Sequence, residues 1–235
     1  MFLKEGFTHL DRLISMEDVQ SLRLVYDALL NDKKRTLGLR SDLAGAGRES
    51  DSVERITQIM RPSIIEPELL YNKAFILALA YAKDLLGDDM ELDFDMLINK
   101  APFTNTPTPW HQDAAYWIKL PDKRAVSCWI ALDRVYQENG CMWFVPKTDD
   151  LVKPHKSLPN GGALYCDAPS EGAIPIPLAA GGCTFHDGFT LHFSQGNTTS
   201  DQRRALILNF RPKKMIALER QQGVDHTGTR KVRQK

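Results

Sequence analysis

Apolar residues recur at helical spacing in the first third of the chain and at strand-like spacing after it. Ser15-Met16-Glu17-Asp18 reads as an N-cap with acids in the first turn, and Val19, Leu22, Val25, Leu29 and Leu30 follow with a helical period. Glu66-Pro67-Glu68-Leu69-Leu70 opens a second helix, with proline in the first turn, where its missing N–H is one the helix leaves unbonded anyway. That helix continues through Phe75-Ile76-Leu77-Ala78-Leu79-Ala80 and stops at Gly87. Between the two, Gly38 to Asp51 is rich in glycine, serine and charge and reads as a mobile loop.

Near residue 95 the pattern changes to short runs cut by proline, glycine and asparagine. Strands are predicted at Asp95-Met96-Leu97-Ile98-Asn99, Ala125 to Ile130, Met142 to Val145, Gly182 to His186 and Ala205 to Phe210. Short strands with this turn punctuation suggest a jelly roll or barrel. Helices first and strands later give an α+β chain in which N-terminal helices brace one sheet. We read a single domain: residues 1–95 as mainly helical support, 96–212 as the β core and 213–235 as a basic C-terminal tail. Within that tail, Arg220 to Lys235 reads as solvated and partly disordered.

Composition narrows the function. A chain of 235 residues with 43% hydrophobic and 26% charged residues suits a soluble globule with a sizeable core. Lys+Arg and Asp+Glu are equal at 30 each, so no bulk field favours nucleic acid or an anionic membrane. A small-molecule substrate is the expected partner, on a monomer or dimer. Cys128, Cys141, Cys166 and Cys183 show no Cys-x-x-Cys spacing, which fits reduced thiols. The chain has no apolar run of signal or membrane-span length, and Val232-Arg233-Gln234-Lys235 is not a Ser-Lys-Leu address. The cytoplasm is the expected compartment.

The chemistry centres on His111-Gln112-Asp113. In an extended segment residues two apart share a side, so His111 and Asp113 can ligate one ion while Gln112 points away. The preceding Thr106-Pro107-Thr108-Pro109-Trp110 opposes helix formation and favours that geometry. Two imidazoles and one carboxylate hold a non-haem ferrous ion on one face, leaving positions open for a chelating cosubstrate and O₂. His155, His186 and His192 are candidates for the second imidazole. His192 is favoured by its sequel, a turn and then Arg203-Arg204 opening an apolar strand, which a hairpin would return beside the ligands. An inward arginine offers a planar cation for a cosubstrate carboxylate. Alternation does not choose between Arg203 and Arg204, because both sides of that strand are partly apolar. His186 reads as a core imidazole or one that supports a ligand.

Met96-Leu97-Ile98-Asn99-Lys100, Trp110-His111-Gln112-Asp113-Ala114-Ala115-Tyr116-Trp117 and Trp129-Ile130-Ala131-Leu132-Asp133 carry a wider resemblance. So do Glu138 to Pro146 and His192-Phe193-Ser194-Gln195-Gly196-Asn197. In this order they resemble the phytanoyl-CoA dioxygenase family, from about residue 55 to 212, with little of it in the first fifty residues. That family consists of Fe(II)- and 2-oxoglutarate-dependent oxygenases on a double-stranded β-helix. The resemblance implies iron ligation by His111, Asp113 and His192, and Arg203 on the distal carboxylate of 2-oxoglutarate. It also implies a hydroxyl contribution from Ser194, and Trp129 and Met96 as walls of the cosubstrate pocket. Gln58 is the candidate for an upstream polar contact, against the alternative of a solvated helix face.

The implied reaction is oxidation of an unactivated C–H of a small organic substrate, with release of succinate and CO₂. Hydroxylation, desaturation, ring formation and endoperoxidation share the same site. The competing readings are a cupin-like metal-dependent isomerase or hydrolase, which has no need of a buried cation for a diacid, and a non-catalytic small-molecule binder. The presence of Asp113 argues against halogenation, because related halogenases carry a small residue there. One departure falls after Pro146, where the family commonly reads Gly-Ser-His and this chain reads Lys147-Thr148-Asp149. Trp117, Tyr116, Trp143 and Phe103 are candidate substrate walls. The Gly38–Asp51 stretch and the Lys153–Pro177 insertion are candidate lids.

Overall fold

The computed structural model describes residues 2–45, 54–158, 162–168 and 171–227. Among these the strands, in chain order, are Phe7–Leu10 (β1), Arg40–Asp42 (β2), Ile56–Met60 (β3), Met90–Lys100 (β4), Thr108–His111 (β5), Val126–Ala131 (β6) and Met142–Phe144 (β7). They continue with Lys156–Ser157 (β8), Leu164–Tyr165 (β9), Ile174–Ile176 (β10), Cys183–Asp187 (β11), His192–Ser194 (β12) and Arg203–Pro212 (β13). The α-helices are Phe2–Glu5 (α1), Met16–Asn31 (α2), Pro62–Ile65 (α3), Lys73–Leu86 (α4) and Lys213–Gln221 (α5).

A seven-stranded sheet runs β1-β11-β6-β13-β4-β3-β2, and a four-stranded sheet runs β10-β7-β12-β5. They pack through Met96, Trp129, Ala205 and Ile207 of the larger sheet and Met142 and Phe144 of the smaller. The other face of the larger sheet packs on α2 and α4 through Cys128, Ile130, Leu206, Leu208 and Phe210. Both faces of β13 are therefore buried, which is why its apolar pattern does not alternate. The result is an α+β jelly-roll core of the double-stranded β-helix kind, braced on one sheet by helices.

Local signals in the sequence shape this arrangement. Ser15 and Asp18 form a reciprocal capping box at the start of α2, each side chain accepting from the other's backbone N–H. On α4, Ala74, Ala78 and Ala82 sit one turn apart with no exposure, so the helix lies close against the sheet. Phe185 and Phe210, both fully buried on this side, each contribute roughly 2–3 kcal/mol through burial.

Four expectations change. The N-terminal third supplies strands as well as helices: β1 pairs with β11, and β3 extends the sheet beside β4. Pro67 opens a 3₁₀ turn, Pro67–Tyr71, and the helix proper starts at Lys73 behind an Asn72 cap whose side chain accepts from Ala74 N. Of the Gly38–Asp51 loop, residues 38–45 are described and include β2, while 46–51 lie outside the described residues. The stretch read as a tail forms α5, and Arg220 and His226 pair with the buried Asp93; residues 228–235 lie outside the described residues. No helix among the described residues is long and apolar enough to cross a membrane.

Candidate metal centre

β5 is the edge of the smaller sheet, so Pro109 withdraws no ladder hydrogen bond from a neighbour. Its pairing with β12 sets His111 directly opposite His192, with ring centroids 4.1 Å apart. Gln112 is extended at φ −125° and ψ 131°, which turns Asp113 to the same side as His111. Asp113 then opens a 3₁₀ turn, Asp113–Tyr116. One ligand atom from each of His111, Asp113 and His192 lies within 4.8 Å of the other two.

The hydrogen bonding selects the donors. His111 Nδ1 lies 2.7 Å from Pro109 O, and His192 Nδ1 lies 2.9 Å from Thr190 O. Carbonyls only accept, so each Nδ1 carries the proton and each Nε2 offers its lone pair to the centre. Burial pushes both imidazoles below their ordinary pKa, His192 the further, which favours the neutral ligating form. Burial acts to raise the Asp113 carboxyl, but the contact with His186 and the neighbouring imidazoles outweigh it and hold it well below the usual carboxylate range.

Asp113 divides its two oxygens. Oδ1 lies 3.8 Å from His192 Nε2, whereas Oδ2 accepts from Ser127 Oγ at 2.8 Å and lies 3.4 Å from His186 Nε2. Ser127 Oγ accepts in turn from Asn209 Nδ2 at 2.8 Å. His186 therefore supports the carboxylate from outside the triad. His155 also stands outside it, its Nε2 accepting from Gln112 N at 3.0 Å.

A cavity of about 70 Å³ opens beside the triad. Its walls include Gln58, Met96, Trp129, Ser194 and Arg203. Arg203 is 1% exposed; its Nε and Nη2 donate to Gly140 O at 2.9 and 2.7 Å, and its guanidinium lies 4.6 Å over the Trp129 ring. Burial lowers its pKa to about 10, so it remains a cation at neutral pH. Arg204 takes the other face of β13, paired with Asp133 at 2.8 Å and Asp27 at 2.7 Å.

Arg203 does not arrive by a hairpin. β12 lies in the smaller sheet and β13 in the larger, so the cation reaches the cavity from the opposite wall. Gln58 is on β3, 3% exposed, with Nε2 3.2 Å from Met96 Sδ, not on a solvated helix. Of the four aromatic wall candidates, Tyr116 lines the cavity. Phe103 is 71% exposed, Trp117 stacks on the Arg211 guanidinium at 3.9 Å, and Trp143 faces Phe193 across the β7–β12 pairing.

Several site residues escape a sequence reading. Ser127 sits two before Trp129 on β6, and strand alternation is the signal that could have found it. Lys100, fully buried, donates Nζ to Ser194 O at 3.1 Å, Gln195 O at 2.6 Å and Thr106 O at 3.3 Å, holding the end of β12. Leu43 and Ala163 meet over the cavity, where Ala163 N donates to Leu43 O at 3.0 Å. Leu164 N donates to Tyr116 Oη at 2.7 Å beside them.

The phytanoyl-CoA dioxygenase family model matches residues 2–205, reaching further toward the N-terminus than the motif series did. Peroxisomal phytanoyl-CoA dioxygenase of Mus musculus is 25% identical over 221 residues, covering 88% of this chain and 65% of the mouse protein. The chain thus spans about two-thirds of the length of that relative. Phytanoyl-CoA dioxygenase domain-containing protein 1 of Danio rerio is 30% identical over 124 residues, 49% of this chain and 43% of the fish protein. Among solved structures, EvdO2 from Micromonospora carbonacea var. aurantiaca complexed with 2-oxoglutarate superposes with a TM-score of 0.72 at 29% identity, covering 89% of this chain and 87% of that one. The epimerase SnoN, at 23% identity and a TM-score of 0.69, shares the fold over 89% of this chain and 79% of its own.

Two neutral imidazoles, one ionised carboxylate and a buried guanidinium on one cavity suit a ferrous ion with a chelating diacid. The chain belongs to the phytanoyl-CoA dioxygenase family, whose Fe(II), 2-oxoglutarate and O₂ fit that donor set.

Proposed function

We propose that this chain is an Fe(II)- and 2-oxoglutarate-dependent dioxygenase that oxidises an unactivated C–H of a small organic substrate and releases succinate and CO₂. The observation that carries the reading is one cavity shared by the triad and Arg203. His111, Asp113 and His192 hold the iron, and Arg203 holds the far carboxylate of 2-oxoglutarate. Ser194 and Gln58 supply polar contacts to that diacid, with Trp129 and Met96 as its apolar walls. Iron, 2-oxoglutarate and O₂ together supply the oxidant for C–H cleavage.

The protein's part is to orient and to exclude water. Gly140 O and the Trp129 face fix the Arg203 fork, so its remaining donors are presented without reorganisation. Leu43 and Ala163 close the substrate side as two meeting lids, and Tyr116 anchors one of them. A buried Arg203 on the cavity favours this reading over a metal-dependent isomerase or hydrolase, which has no diacid to hold. The test is iron loading under anaerobic conditions, then 2-oxoglutarate and O₂ with a panel of small substrates. Succinate released in proportion to oxidised substrate supports the reading. Iron-loaded protein that neither binds nor turns over 2-oxoglutarate removes it.

A further inference from the structure

The turn between β11 and β12 contacts both ligand-bearing segments, at His192 and on either side of Asp113. Three successive carbonyls make these contacts. Gly188 O accepts from Ala114 N at 2.9 Å, directly after Asp113. Phe189 O accepts from Gln112 Nε2 at 2.7 Å, between His111 and Asp113. Thr190 O accepts from His192 Nδ1 at 2.9 Å. One short piece of backbone therefore sets the two ligand-bearing strands against each other. The Gln112 side chain ties the same region together, since Nε2 also donates to Leu151 O at 2.9 Å and Oε1 accepts from Lys153 N at 2.8 Å.

Asp187 gives the turn its shape. Its Oδ1 accepts from Phe189 N at 2.9 Å, Thr190 N at 2.9 Å and Thr190 Oγ1 at 2.8 Å. Its Oδ2 pairs with Lys147, a residue found where the family commonly has glycine. The surroundings leave the turn no slack. A Cβ on Gly188 would lie 1.8 Å from Trp117, and one on Gly6 would lie 2.1 Å from Thr190 Oγ1. Gly6 O accepts from Asp187 N at 2.9 Å and lies 2.9 Å from Thr190 Oγ1, whose single proton it shares with Asp187 Oδ1.

We propose that Asp187 is a positioning residue for the metal triad, folding its turn so that three consecutive carbonyls orient His192 and the His111–Asp113 segment. This rests on the reading of His111, Asp113 and His192 as iron ligands. Groups that orient metal ligands typically change metal affinity about 10- to 100-fold when lost.

Co(II), whose visible absorption reports ligand geometry, is the probe. We expect Asp187→Ala to weaken Co(II) binding at least ~10-fold and to shift its absorption bands. Asp187→Asn keeps an acceptor for the Phe189 and Thr190 amides while losing the charge pairing with Lys147, and we expect it to stay within ~3-fold of wild type. Gln112→Met removes the Phe189, Leu151 and Lys153 contacts without touching Asp187, so it carries the test if Asp187→Ala fails to fold. We expect it to weaken Co(II) in the same direction. Unchanged Co(II) affinity and spectrum in folded Asp187→Ala or Gln112→Met, whatever their melting temperatures, overturns the positioning role. Wild-type protein that binds no Co(II) overturns the iron reading itself, and this proposal with it.

Discussion

Two clusters of histidine and carboxylate lie inside the same fold, His111, Asp113 and His192 in one and Asp93, Glu219 and His226 in the other. By composition the second is the richer in negative charge. Its surroundings decide otherwise. Arg220 lies 2.5 Å from Asp93 Oδ1, Arg211 lies 3.2 Å from Asp93 Oδ2, and His226 Nε2 sits 3.3 Å from Asp93 and 3.2 Å from Glu219. Two guanidinium groups already neutralise those carboxylates, and a divalent cation entering there meets like charge. At the first cluster the protons sit on the outer ring nitrogens, and the lone pairs face an open cavity. A metal site needs ligand atoms whose charge no neighbouring cation already neutralises.

Substitution tests that contrast most sharply. We expect His111→Ala or Asp113→Ala to abolish stoichiometric iron binding, and His226→Ala to leave one iron per chain. Metal analysis of anaerobically loaded protein reads both, and retained iron in the first two would remove the triad. Asp93→Ala leaves Arg211, 1% exposed, without its closest carboxylate, and we expect it to cost about 3–5 kcal/mol in urea unfolding with iron binding by the folded protein unchanged. A loss below about 1 kcal/mol would mean that the second cluster is not structural.

The two arginines of β13 give a smaller contrast. We expect Arg203→Ala to raise the 2-oxoglutarate KM about 100-fold, and Arg204→Ala to change it less than about 3-fold. Equal effects would contradict the inward placement of Arg203. The weakest effect is on acid stability. Burial acts to raise Asp93, but His226, Arg211 and Arg220 outweigh it and lower its pKa to about 2. A carboxyl lowered by folding stabilises above its unfolded pKa, so we expect this contribution to be lost as pH falls from about 4 to about 2, on the order of 2 kcal/mol. In Asp93→Asn that part of the acid limb should be missing from pH-dependent urea melts.

The proposed iron ligands were the more legible half of the molecule. Prolines hold the segment extended so that His111 and Asp113 share a side, but that pair alone is a weak signal, and the ordered series of motifs carries the assignment. The motif series pointed to Arg203, yet alternation was silent, since β13 has helices on one face and the cavity on the other. β3 is hidden for a related reason. Ile56–Met60 is buried at every position, so it shows neither a polar face nor a period, and Gln58 reads as surface until the sheet closes around it. The second cluster was invisible because Arg220 meets Asp93 across 127 residues of sequence, and no local pattern encodes that pairing.

A crystal structure of protein grown anaerobically with Fe(II) and 2-oxoglutarate would decide between the two clusters at once. We expect a metal about 2.0–2.2 Å from His111 Nε2, His192 Nε2 and one oxygen of Asp113, with the far carboxylate of the diacid on Arg203. Iron lodged between Asp93, Glu219 and His226, or a diacid bound away from Arg203, would contradict the assignment.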